Sequence, residues 1–94
     1  MISVCMATYN GEKFIKEQID SILSQLSDDD ELVVSDDGSK DRTLDIISSY
    51  NDKRIRILHH SAPHGFVHNF ENALGNAKGF KPKWRLTYLG INMG

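Results

Sequence analysis

The 94-residue sequence has little of several features that would mark a particular class of protein. Its single cysteine, Cys5, excludes an internal disulfide and is typical of a reducing compartment. No apolar run approaches the ~20 residues that a transmembrane helix needs. The formal net charge of −2 gives no reason to expect nucleic acid as the main partner. The chain opens directly in a strand-like run, so we expect no secretory signal.

The composition is that of an ordinary globular chain, with 39% hydrophobic and 26% charged residues. A chain of this length forms one domain at most and buries roughly 60–65% of its unfolded surface. Val4 and Met6 flank Cys5, and these apolar neighbours indicate a buried structural thiol rather than a nucleophile.

Short strand-like runs alternate with segments of helical periodicity along the first 77 residues. The order β-α-β-α-β-α predicts an α/β fold with a parallel sheet and flanking helices. Asn10 suits the N-cap of the first helix. The third helix is expected to bury Val67, Phe70, Leu74 and Ala77. We predict strands over 2–7, 31–35 and 54–58 and helices over 12–26, 41–50 and 66–77.

The stretch 31–39 is the most informative part of the chain, because an apolar strand ends there in Asp36, Asp37, Gly38 and Ser39. Open parallel sheets bind ligands in the crevice outside the carboxyl ends of their strands. Two adjacent carboxylates at that edge suit a sugar hydroxyl, a base N–H or a cation. A solvated turn in which Ser39 or Asp41 caps the next helix explains the same residues without a ligand.

Four segments carry a family resemblance. They are a strand with an aromatic-Asn turn over 2–11, an S-I-L-x-Q run over 21–25, a strand-D-D-G-S-x-D-x-T pattern over 31–43, and the segment 65–79, which ends in A-x-G. In this order they resemble the N-terminal portion of family 2 glycosyltransferases. The resemblance implies a Rossmann-like GT-A fold of the α/β class, here the truncated nucleotide-sugar-binding half. The last segment is similar to a polysaccharide-building, rhamnosyltransferase-like subset of the family.

The resemblance also implies which residues would bind the nucleotide. Ala7, Thr8 and Tyr9 would flank the base, with Tyr9 offering a flat face for stacking. Packing of the Tyr9 ring under the first helix is the structural alternative. Asp37 would accept a hydrogen bond from a uracil-type or thymine-type N–H, as a charged acceptor makes the stronger bond. Asp36 would support the turn or the ribose.

His68 and Asn69 occupy positions where relatives often carry a basic or polar group near the diphosphate. A helix N-terminus at this point would itself favour an anion. His64 and His68 are four residues apart, which also fits a zinc pair, but no cysteine is nearby and solvated loop histidines are the favoured interpretation.

The resemblance ends near residue 79. Relatives continue with a strand carrying Asp-x-Asp, which binds Mg²⁺ or Mn²⁺ at the diphosphate, whereas residues 80–94 contain no acidic residue. We therefore divide the chain into a family portion, 1–79, and a divergent basic tail, 80–94, in which 85–89 is a candidate fourth strand and fraying the alternative. We predict neither a catalytic residue nor a metal ligand in this chain, and we interpret it as a truncated product of a longer gene.

The function implied by the resemblance is transfer of a sugar from a UDP-type or dTDP-type donor, with inversion, to a glycan or lipid-linked acceptor. Full-length relatives use Mg²⁺ or Mn²⁺, and we expect a cytoplasmic location, at the inner face of the membrane in full-length form. Two alternatives stay open. One is a small signalling domain using Asp36 or Asp37 as phosphoacceptor or Mg²⁺ ligand, and the other is a non-functional remnant.

Overall fold

The computed structural model describes residues 2–59, 65–77 and 87–90, which form a parallel sheet covered by helices on both faces. The order of the four strands in the sheet is β3-β2-β1-β4. This architecture confirms the predicted α/β class. The elements are β1 (Ser3–Tyr9), α1 (Ile15–Leu23), β2 (Glu31–Asp36), α2 (Thr43–Ser49), β3 (Ile55–His59), α3 (Phe66–Gly75) and β4 (Thr87–Gly90).

Side-chain alternation along the two central strands divides the core into two layers. Even-numbered residues of β1 and β2 face α1 and α2, where the larger apolar cluster forms. The isoleucines of α1 recur at helical spacing on its buried side, as the sequence predicts. The buried members of this cluster are Val4, Met6, Ile15, Ile19, Ile22, Leu32, Val34 and Ile47.

Odd-numbered residues of the same strands face α3. A smaller apolar cluster forms here from Cys5, Val33 and Ala73. The sheet-facing stripe of α3 differs from the predicted one, because Val67 is 57% exposed and Asn69 is fully buried. An amide takes the inward position because the strand ends beneath it present polar groups, which are described below.

The first helix is shorter than predicted. It begins at Ile15 rather than near residue 12, since the Gly11 carbonyl accepts the amides of Phe14 and Ile15 in a preceding turn. The expectation that Asn10 caps α1 is wrong. Asn10 has a φ of 51°, a left-handed conformation that asparagine tolerates better than most residues, and its side chain points to the next turn.

Four residues near the chain end form β4, which pairs in parallel with β1 from Met6↔Thr87 to Tyr9↔Gly90. The candidate strand at 85–89 is thus observed at Thr87–Gly90, two residues later at its start. The rest of the predicted basic tail lies outside the described residues. Among the helices that the structure describes, none is long and apolar enough to cross a bilayer.

The burial of Cys5 leads to a first test. The side chain has no exposed surface, and burial, with a further contribution from the nearby Glu31 carboxylate, raises the pKa of the thiol to about 11. We expect a thiol-specific disulfide reagent at pH 8 to label Cys5 very slowly in the native protein and at once in urea. Rapid labelling of the native protein would contradict the described packing of β1.

Candidate functional site

Two turns lie side by side at the carboxyl edge of the sheet. One follows β1 and the other follows β2, and the parallel register pairs Thr8 directly with Asp36. The backbone pairing continues for one more residue, as the Asp37 amide donates to the Thr8 carbonyl at 3.0 Å. The turns after β1 and β2 therefore lie next to each other at one edge of the sheet.

The Asp36 side chain lies beside these two turns, on the face of the sheet that α1 and α2 cover. Its carboxylate has no exposed surface. One oxygen accepts the hydroxyls of Thr8 and Ser39, both at 2.6 Å, and the other accepts the amides of Gly38 at 3.1 Å and Ser39 at 2.8 Å. A buried charge is tolerated when it is bonded in this way. Asp36 thus supports the turn, and its burial makes it unavailable as a phosphoacceptor.

Gly38 explains how the turn after β2 can fold back on Asp36. Its φ of +80° lies in the region that residues with a Cβ rarely adopt, and this conformation directs its amide and that of Ser39 to the carboxylate. An alanine at this position would meet no neighbouring atom, so the requirement for glycine comes from the backbone conformation alone.

The two turns are further joined by hydrogen bonds outside the sheet. Asn10 donates its amide to the Ser39 hydroxyl at 2.9 Å and accepts the Lys40 amide on its side-chain oxygen at 2.8 Å. The Gly11 amide donates to the Thr43 hydroxyl at 2.8 Å. Ser39 therefore links the two turns instead of capping α2, and these contacts hold the two backbone bends at a fixed separation.

Asp41 anchors the start of α2. One carboxylate oxygen accepts the Thr43 amide at 2.9 Å, and the other accepts the Glu12 amide at 3.1 Å. Burial by itself would raise the pKa of the Asp41 carboxyl, but the bonds from Thr43 and Glu12 outweigh it and the pKa is lowered.

Tyr9 and Asp37 belong to the other face of the sheet, by the alternation that places Thr8 and Asp36 toward α1. Asp37 is 8% exposed, and its carboxylate accepts the Gly65 amide at 3.1 Å just before α3. Tyr9 is half-buried, and Ala7, one pleat earlier on the same face, is fully buried. Asp37 thus lies beside the residue that precedes α3, and the alternation of β1 places Ala7 and Tyr9 on the same face of the sheet.

Asn69 connects α3 to this edge, a contact that the sequence did not indicate. The side chain is fully buried, donates to the Thr8 carbonyl at 3.1 Å and accepts the Ser35 hydroxyl at 2.6 Å. Asn72 donates to the same Ser35 hydroxyl at 2.8 Å. The sequence suggested that Asn69 lies near a diphosphate, but its burial directs it into the sheet instead.

His68 lies on the solvent side of α3. Half of its side chain is exposed, and Nδ1 is 3.6 Å from a Glu71 carboxylate oxygen on the next turn of the helix. Among the described residues, this polar contact joins His68 to its own helix. His64, its suggested partner for zinc, lies outside the described residues.

The described residues also bear on metal binding and on open space at the site. Within 2–59, 65–77 and 87–90, no group of three or more His, Cys, Asp or Glu side chains is arranged to hold a metal ion. A cavity of about 240 Å³ borders the turn after β1. It is lined by Asn10, Glu12, Lys13, Phe14 and Asp41.

Comparison with known proteins identifies the family of this chain. The sequence profile of glycosyl transferase family 2 matches residues 3–80. The chain belongs to glycosyltransferase family 2. An uncharacterized glycosyltransferase of Haemophilus influenzae is 36% identical over 108 aligned positions, which include 98% of this chain and 33% of the relative. The chondroitin synthase of Pasteurella multocida is 35% identical over 83 positions, or 85% of this chain and 8% of that protein.

A solved structure shows the same fold. The crystal structure of S. aureus TarS 1–349 in complex with UDP superimposes with a TM-score of 0.78 and 28% identity, covering 92% of this chain and 27% of TarS. This similarity confirms the GT-A fold in this glycosyltransferase family 2 chain. The chain spans a third or less of the length of each of these proteins.

The role of Asp36 as a turn support predicts an order of stability among variants. We expect Asp36→Ala to lower the free energy of unfolding by roughly 3–5 kcal/mol, because two amides and two hydroxyls lose a buried acceptor. Asp36→Asn should cost about 1–2 kcal/mol, since the hydroxyls of Thr8 and Ser39 can rotate to accept from the new amide. Urea unfolding measures both.

The control for this series is Asp29→Ala, an exposed acid at the opposite end of β2. It should change the free energy of unfolding by less than about 0.5 kcal/mol. If Asp36→Ala proved as mild as Asp29→Ala, Asp36 would not hold the turn.

The lowered pKa of Asp41 predicts a dependence of stability on pH. A carboxyl whose pKa is lower in the folded state stabilises the fold above its unfolded pKa, and this contribution is lost as the pH falls through the folded pKa. Asp41→Asn should therefore be less stable than the wild type at pH 7, and this difference should shrink as the pH falls below the ordinary pKa of an aspartate. A difference in urea midpoint that stays constant from pH 7 to pH 2.5 would contradict the assignment.

Proposed function

We propose that this chain is the nucleotide-binding half of a transferase that uses a UDP-type or dTDP-type sugar donor. The observation that carries the proposal is the meeting of the two strand-end turns, with the Asp37 carboxylate bonded to the Gly65 amide before α3. Strand alternation places Tyr9 on the same face of the sheet. A flat ring and a carboxylate acceptor are the groups that a uracil or thymine base needs for stacking and for its N–H. The UDP complex of TarS supports this donor class.

In the full-length protein, the proposed reaction is sugar transfer with inversion to a glycan or lipid-linked acceptor in surface polysaccharide synthesis. The resemblance to the chondroitin synthase and the hyaluronan synthase of Pasteurella multocida supports a polysaccharide acceptor. We further propose that transfer takes place in the cytoplasm, at the inner face of the membrane, where the donor is available.

The 94 residues alone should bind nucleotide without transferring sugar. An inverting transferase needs a carboxylate to deprotonate the acceptor hydroxyl and a cation to stabilise the leaving diphosphate. Two carboxylates at the site already have structural functions. Asp36 is fully buried, and Asp41 accepts the amides of Glu12 and of Thr43 at the start of α2. In this proposal, the catalytic base, the metal site and the acceptor-binding side belong to the part of the full-length protein that corresponds to the remaining length of the relatives.

Nucleotide titration of the purified chain by calorimetry tests the proposal. We expect weak binding of UDP and dTDP, with a Kd on the order of 0.1–1 mM, or roughly 4–5.5 kcal/mol. Mn²⁺ should leave this affinity unchanged, as the described residues offer no metal site. Asp37→Asn should weaken UDP binding about tenfold, because the base N–H loses a charged acceptor.

Asp29→Asn makes the same chemical change away from the site and should bind UDP like the wild type. Equal affinity in the Asp37 and Asp29 variants would contradict the role of Asp37. A wild-type chain that shows no affinity for either nucleotide at millimolar concentration would contradict the proposed function itself.

A further inference from the structure

The side chain of Asn69 is buried at the point where three elements meet. It has no exposed surface, and each end of its amide has a protein partner, the Thr8 carbonyl and the Ser35 hydroxyl. A buried amide satisfied at both ends fixes the orientation of the residue that carries it, because any rotation would leave buried polar groups unpaired.

The Thr8 carbonyl is the shared acceptor in this arrangement. It accepts the Asp37 amide at 3.0 Å and the Asn69 side-chain amide at 3.1 Å. One oxygen therefore connects the end of β1, the residue after β2 and the helix α3. The two hydrogen bonds to this oxygen fix the position of α3 relative to Asp37.

A backbone hydrogen bond connects Asn69 to the residue before α3. The Asn69 backbone amide donates to the Gly65 carbonyl at 3.0 Å, so the two residues form the first turn of the helix. Gly65 in turn donates its amide to the Asp37 carboxylate. Its φ of +118° is a conformation that favours glycine and lets this amide face the carboxylate.

From these contacts we infer that Asn69 is a positioning residue for base recognition, which holds the Asp37 carboxylate in place through Thr8 and Gly65. This inference rests on the proposed function, since it concerns the base that Asp37 would bind. A carboxylate held at N3 of the pyrimidine favours uracil, whose N3–H donates, over cytosine, whose N3 is an acceptor. If α3 is held less rigidly, the preference for uracil over cytosine should decrease.

The test compares the affinities of UDP and CDP for the intact 94-residue chain by calorimetry. The wild type should prefer UDP. Asn69→Ala should lower the ratio of the two affinities by about tenfold, the range expected when a charged acceptor is displaced. Ser35→Ala frees one end of the Asn69 amide and should lower the ratio by about threefold. Circular dichroism checks that each variant is folded.

Asn72→Ala is the matched control. It removes another α3 side-chain bond to Ser35 but leaves the contact of Asn69 with Thr8 intact. If Asn69 acted only on stability, Asn72→Ala should lower the ratio of the UDP and CDP affinities as Asn69→Ala does. If Asn69 acts through Thr8, the ratio for Asn72→Ala should stay at the wild-type value.

The outcomes separate this inference from the proposed function. A wild type that prefers UDP, with an unchanged ratio in Asn69→Ala, would overturn the role of Asn69 alone. If Asn69→Ala does not fold, an unchanged ratio in Ser35→Ala would do the same. A wild type that binds UDP and CDP equally would also overturn it, while a wild type that binds neither would overturn the proposed function.

Discussion

The bond between the Thr8 hydroxyl and the Asp36 carboxylate is the contact on which the rest of this structure depends. It joins the last paired residues of the two central strands across the sheet. The buried charge must keep its donors, so the backbone after β2 has to fold back and bring the amides of Gly38 and Ser39 to the same carboxylate. The geometry of both turns follows from satisfying this one group.

The alternation of side chains places the residue that supports the turn and the residue proposed to recognise the base on opposite faces of the sheet. Asp36, which faces α1, has no exposed surface, whereas the next residue, Asp37, faces α3 and keeps 8% of its surface exposed. Two adjacent carboxylates of similar sequence context therefore have different environments. The first fixes the backbone, and in the proposed function the second meets the base.

Strands, helices and the meeting of the two turns could be predicted from the sequence, because they follow from apolar periodicity and from the rule for parallel sheets. The functions of single polar residues could not. Asn10 looks like a helix cap in a local window, but its partner Lys40 lies 30 residues away. Asn69 contacts Thr8 across 61 residues, and Asp30 accepts the Ile2 amide across 28 residues. Such long-range bonds depend on the assembled fold rather than on local spacing.

The most direct test of the central claim is to locate bound nucleotide by the amide chemical shifts of the ¹⁵N-labelled chain on addition of UDP. The account predicts that the largest changes fall on Tyr9, Asn10, Asp37, Gly38 and Gly65, at the carboxyl edge of the sheet. Amides at the opposite edge, such as those of Asp29 and Lys53, should not move. Shifts concentrated at that opposite edge, with the two turns unchanged, would contradict it.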